Sequence, residues 1–147
     1  MSAVEFFKQY DEKTVEKCVK YMYCKTLTKG EKVFEMSESL FYIPLSYFTI
    51  DTVGTTFWVV LKGSVSVWIM KKIVEKEDDK EREKEILINV RDLPTGSAFG
   101  ELSLLSNKPR AATIQCNEDC QFAVLDKLHF DEILSIFFIQ ERFLMSQ

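Results

Sequence analysis

The sequence predicts a mainly-β fold with flanking helices, an eight-stranded roll of jelly-roll type under a helical cover. Two observations carry this. Short runs rich in β-branched and aromatic residues, separated by glycine or polar turns, fill the chain from residue 25 to residue 125. Apolar residues recurring with a helical period are confined to the two ends. The 147 residues suit one domain, 1–147, with a helical segment 1–24, a roll 25–125 and a C-terminal helix 126–147.

Residues 11–23 read as an amphipathic helix. Val15, Cys18, Val19 and Met22 recur at i, i+3, i+4 and i+7, Lys13, Glu16, Lys17 and Lys20 face outward, and Asp11 suits the N-cap. A capping helix is the plain reading; a mobile helix that senses a ligand is the functional one. Two short extended runs follow in CKTLTKGEKVFE, about the turn Lys29-Gly30. Residues 36–50 (MSESLFYIPLSYFTI) are apolar and aromatic, a composition expected to pack over the roll rather than float as a solvated loop. Covering a pocket mouth or binding a partner are its other uses.

The strand signal is strong in FWVVL and SVSVWIM, which lie either side of the two-residue turn Lys62-Gly63. In the second run Val65, Val67 and Ile69 alternate with Ser64, Ser66 and Trp68, so one face is expected to be buried. Residues 75–85 (EKEDDKEREKE) are charged at every position and predict a solvated hairpin tip or a frayed helical turn. Strand character resumes at ILINV (86–90), and Arg91–Gly96 reads as a turn. Ala112–Cys116 and Gln121–Leu125 are the last two strands, around Asn117-Glu118-Asp119. Asp126 then suits the N-cap of a helix in which Phe130, Ile133, Leu134 and Phe137 follow the 3.6-residue period.

Composition excludes several classes of function. Hydrophobic residues make up 46% and charged residues 29%, as in ordinary globular chains, and the net charge of −4 gives no basic field for nucleic acid or an anionic membrane. No apolar run approaches the roughly 18–20 residues that span a bilayer. The start MSAVEFFKQYDEK lacks the basic and apolar regions of a signal peptide, so a cytoplasmic location is expected. Cys18, Cys24, Cys116 and Cys120 lack CxxC spacing, and His129 is the single histidine. Reduced cysteines in or near the core are therefore expected, ahead of a zinc site or a disulfide. An enzyme of the cupin type, which shares the roll, needs a cluster of histidines that this chain does not have. Neither a catalytic residue nor a cofactor nor a metal is expected.

Chemistry concentrates in residues 96–113, GSAFGELSLLSNKPRAAT. Gly100-Glu101-Leu102 opens a short helical turn whose first N–H groups favour an anion. Arg110 returns from a loop with a planar fork of donors suited to phosphate. Glu101, beside the same site, is of no use to a phosphate but well placed for a sugar hydroxyl. A phosphate-plus-ribose site is the local reading.

Phe99-Gly100-Glu101-Leu102-Ser103-Leu104-Leu105, followed after a short gap by Pro109-Arg110-Ala111-Ala112-Thr113, closely resembles the phosphate-binding cassette of cyclic nucleotide-binding domains. The regulatory subunits of cAMP-dependent protein kinase are the nearest in pattern. The match is long and ordered, which makes it more specific than an isolated glycine motif. The Lys-Gly-Glu turn and the aromatic strand, glycine turn and Ser-Val strand are also similar to the family. The chain departs from it at 36–50, where the family makes a tight Gly-Asp turn; Asp51-Thr52-Val53-Gly54 looks like the tail of that turn.

The resemblance implies a cyclic-nucleotide receptor module, a non-catalytic regulator in signalling, with a kinase or other effector protein as partner. It implies that Arg110 pairs with the exocyclic phosphate oxygens. Backbone N–H groups at the start of Leu102–Leu105, with that of Ala111 or Ala112, complete the anion cradle. Gly100 lets the backbone approach the sugar, Glu101 accepts from the ribose 2′-OH, and Pro109 fixes the approach to Arg110. Leu102, Leu104 and Leu105 couple the cassette to the hinge helix, which begins after Asp126. Relatives that favour cGMP often carry threonine directly after the arginine; here that residue is Ala111, which implies cAMP, with cGMP as the other ligand. Thr113 is expected to point elsewhere. Phe137, Phe138 and Phe143 are candidates for a cap over the base. A protein-interaction domain on the same fold, with weak or no nucleotide binding, is the competing reading.

Overall fold

The computed structural model describes residues 3–36, 55–106 and 110–145, so most of the aromatic segment at 36–50 lies outside the described residues, as does Pro109. In chain order the elements are α1 (Ala3–Lys8), α2 (Glu12–Tyr21), β1 (Tyr23–Leu27), β2 (Lys32–Phe34), β3 (Thr56–Lys62), β4 (Val65–Glu77), β5 (Lys80–Leu93), β6 (Ala98–Phe99), α3 (Glu101–Ser106), β7 (Thr113–Cys116), β8 (Cys120–Asp126), α4 (Lys127–Ile133) and α5 (Ser135–Met145). The described strands form two four-stranded antiparallel sheets, β1-β8-β3-β6 and β2-β7-β4-β5.

The middle strand β3 explains the layering. Phe57, Trp58, Val59 and Val60 are all buried, because both faces of its sheet are covered. Trp58 and Val60 turn inward and join Val65, Leu93, Phe99, Ile114, Phe122 and Val124 in the core between the sheets. Phe57 and Val59 turn outward and meet Phe6, Cys18, Leu104, Phe130, Ile133 and Leu134 under the helices. Strand β8 divides in the same way, with Phe122 and Val124 inside and Ala123 and Leu125 beneath the helices. The two cores share β3 and β8 as a common wall.

The Lys62-Gly63 turn does not close a hairpin. It carries the chain from one sheet to the other, since β3 pairs with β6 and β8 while β4 pairs with β5 and β7. Gly63 sits at φ +94°, and a Cβ there would lie 2.7 Å from Cys120 Sγ and 2.8 Å from the Asp119 carbonyl, so only glycine fits. The true hairpin is β4–β5. Its two-residue tip, Asp78-Asp79, takes positive φ at both positions (54° and 60°), as a type I′ turn requires. The run 75–85 is thus a hairpin tip, and most of it is paired strand. Strand β5 also continues through Arg91–Leu93, and the turn starts only at Pro94.

The helical ends differ in detail from the sequence pattern. Asp11 caps α2 by accepting from the Thr14 N–H at 2.9 Å. Cys18 is fully buried, but Val19 is 62% exposed, so the apolar face of α2 is narrower than its period suggests. Tyr23 and Cys24 belong to β1, and Cys24 is an exposed thiol while Cys18, Cys116 and Cys120 are buried; all four are free. The C-terminal segment is two helices, α4 and α5, with Leu134 between them. Asp126 caps α4, accepting from the His129 N–H at 3.0 Å. Among the described residues no helix is long and apolar enough to cross a membrane.

Candidate functional site

Phe99 ends β6, Gly100 follows at φ +96°, and α3 begins at Glu101. This sharp entry points the chain back over the rim of the roll. It also opens a cavity of about 380 Å³ whose walls come from β2, β4, β5, β6, α3 and residues 110–114. Phe99, Gly100, Glu101, Leu102, Ser103, Arg110, Ala111 and Ala112 all line it.

Arg110 is 1% exposed, the largest of the fully buried side chains. A buried guanidinium is stable only with its donors engaged and its charge offset. Here Nη1 donates to the Gly100 carbonyl at 2.8 Å and to Ser103 Oγ at 3.2 Å. Nη2 donates to the Thr56 carbonyl at 2.7 Å and to Thr56 Oγ1 at 3.2 Å. The Phe34 ring lies across the guanidinium face, with Cζ 4.0 Å from the ring centroid. Gly100 is needed for this contact as well as for its φ: a Cβ would fall 3.0 Å from both Arg110 Nη1 and the Thr56 carbonyl. Thr113 points away from the cavity's polar groups and its Oγ1 accepts from the Met36 N–H at 3.0 Å.

Glu101 faces the same cavity. Burial pushes its carboxyl pKa up, against the opposing pull of its own backbone N–H and of Arg142, Arg91 and Arg110. Leu102 is 50% exposed and lines the cavity, so it does not join the packing under the helices. Leu104 and Leu105 do, against Phe130, Ile133 and Leu134. Lys127, the first residue of α4, ties the two helices further by donating from Nζ to the Leu104 carbonyl at 3.2 Å.

The aromatic residues of α5 sit elsewhere. Phe137 packs edge-on against Tyr10, with ring centroids 5.0 Å apart. Phe138 packs on Phe57 and Phe130 at 5.7 and 5.6 Å. Phe143 is 63% exposed, and none of the three lines the cavity. Their apolar spacing marks a helix face without saying which core that face enters.

Four wall residues carry no site signal in the sequence. Phe34 had no signal beyond an extended run. Val67 and Ile69 were legible as an inward face but not as a cavity wall. Arg91 is the least expected, because the sequence pattern reads as a turn from that residue onward. A β-bulge places it: Trp68 pairs with Asn89 and Val67 with Arg91, leaving Val90 as the extra residue. The bulge reverses the alternation of β5, so Arg91 joins the buried Leu93 on the cavity wall, although Arg91 stays exposed at the rim.

Comparison with known proteins gives this geometry a context. Residues 47–137 match the family model described as the cyclic nucleotide-binding domain. The chain is 32% identical over 127 residues to the Rap guanine nucleotide exchange factor 1 of Caenorhabditis elegans, covering 85% of this chain and 10% of that protein. It is 39% identical over 83 residues to the cAMP-dependent protein kinase regulatory subunit of Colletotrichum orbiculare, covering 55% of this chain and 20% of that one. The chain therefore spans only a small part of either relative's length. Its fold resembles the regulatory domain of Toxoplasma gondii PKA, solved with cAMP, at a TM-score of 0.69 and 18% identity over 99% of this chain and 47% of that one. With the matched segment running from before β3 into α5, the chain belongs to the cyclic nucleotide-binding domain family.

Proposed function

We propose that this domain is a cyclic-nucleotide receptor module, with cAMP as its preferred ligand, acting as a non-catalytic regulatory domain in signalling. One observation carries the proposal: Arg110 and Glu101 line a single cavity. Arg110 suits the cyclic phosphate, and Glu101 suits the ribose 2′-OH. The guanidinium already holds the Gly100 and Thr56 carbonyls, so a phosphate must share or displace those bonds. A shift of Gly100 and α3 on binding would reach α4 through the packing of Leu104 and through Lys127, biasing a two-state element read by a kinase or other effector protein.

The preference for cAMP rests on Ala111, which offers no hydroxyl to a guanine amino group. Arg91 on the opposite wall favours a second reading, cGMP, because a guanidinium donates well to the paired acceptors of guanine. Thermal unfolding with cAMP, cGMP and AMP separates these. A preferred ligand at a hundred times its dissociation constant is expected to stabilise the fold by about 2.7 kcal/mol. A larger midpoint shift with cGMP would select the second reading. No shift with either would remove the receptor function and leave a protein-interaction domain.

A further inference from the structure

We propose that Phe34 is a positioning residue for the phosphate site, its ring fixing the plane in which Arg110 presents its donors. The proposal rests on the cavity being a nucleotide site. All N–H groups of a guanidinium lie in one plane, so a phosphate is held by two parallel bonds only if it approaches in that plane. Hydrogen bonds to Gly100, Ser103 and Thr56 hold the edge of the group. They do little to stop it rocking about that edge. The Phe34 ring, 4.0 Å from Cζ, closes the face and sets the tilt.

The backbone delivers that ring deliberately. Lys32 pairs with Gln115, yet Phe34 pairs with Ile114, so β2 carries an extra residue between them. Such a bulge turns the following side chain. Phe34 ends 5% exposed, lines the cavity and packs on Phe99 at 5.8 Å between centroids. An aliphatic residue would fill this part of the core, but only an aromatic one offers a π face to a cation.

The test compares cAMP titrations and thermal melts of the full chain as wild type, Phe34→Leu and Phe34→Tyr. Phe34→Leu is expected to bind about ten-fold more weakly, the scale of one desolvated cation–π contact. Phe34→Tyr keeps the face and is expected to stay within about two-fold of wild type. A purely structural role gives the reverse order, since tyrosine adds a hydroxyl to a buried site while leucine does not. Wild-type affinity in Phe34→Leu, or an equal loss in Phe34→Tyr, overturns the proposal. Should Phe34→Leu fail to melt cooperatively, Phe34→Met supplies the second variant without a ring face. A wild type that binds neither cAMP nor cGMP brings down the receptor reading itself, and this inference with it.

Discussion

Arg82, near the tip of the β4–β5 hairpin, and Arg110, behind the cavity, are the same side chain under opposite conditions. Arg82 is exposed and sits across from Glu75 in the ladder. Around it Lys72 faces Glu85, Lys76 faces Glu81 and Glu77 faces Lys80, so these charged pairs are all of opposite sign. Each such pair in water is worth well under about 1 kcal/mol, and together they select a register more than they hold a fold. Arg110 has no such freedom. It is buried, and its donors are committed to the Gly100 and Thr56 carbonyls. The hairpin spreads many charges over specificity of pairing; the cassette buries one charge beside a cavity.

Truncation should expose this difference most strongly. Arg110→Ala empties a fully buried site and strips the Gly100 and Thr56 carbonyls of their donor, and it is expected to cost about 2–4 kcal/mol in urea unfolding and to remove any cyclic-nucleotide shift; Arg82→Ala should stay within about 0.5 kcal/mol. Equal effects would mean that burial does not set the worth of these arginines. An intermediate case is Asp126, whose carboxyl is held below its ordinary value of 3.8, first by the His129 backbone N–H. Asp126→Ala is expected to cost about 1 kcal/mol at neutral pH. A depressed carboxyl stabilises fully above 3.8 and loses that contribution as pH falls through its lower folded-state value. The gap between wild type and variant in pH-dependent melts should therefore close in acid. Arg82→Glu, which sets two acidic residues opposite one another, is expected to cost about 0.5 kcal/mol, below both Arg110→Ala and Asp126→Ala, and 1 M salt should erase it.

How much of this was legible depended on sequence distance. The cassette reads well because glycine, carboxylate, helical turn and arginine lie within one short stretch and each has a local signature. The hairpin was harder. Its charges match only once the pairing partner is known, and Asp-Asp is a weaker turn signal than Asn-Gly or Asp-Gly. The division of the C-terminal segment at Leu134 has no proline or glycine to announce it. Phe137 and Phe138 are candidates for the base through the resemblance alone; an apolar stripe shows that a helix is buried, not against what, and their packing on Tyr10 and Phe57, far away in the chain, has no local signature. Arg91 needed the bulge at Val90, a property of two strands together and not of either alone.

The shared wall of β3 and β8 also has a kinetic consequence. Thr56 lies opposite Asp126 and Val60 opposite Phe122, so this ladder closes across the whole cassette and both central strands of the other sheet. The β4–β5 hairpin can form early, on the microsecond scale of local hairpins, whereas the wall waits for a long loop to close. The bond from Arg110 to the Thr56 carbonyl spans 54 residues of chain and belongs to the same long-range class. The candidate site thus rests on contacts that close long loops, and a nucleotide held there should slow unfolding more than it changes the rate of folding.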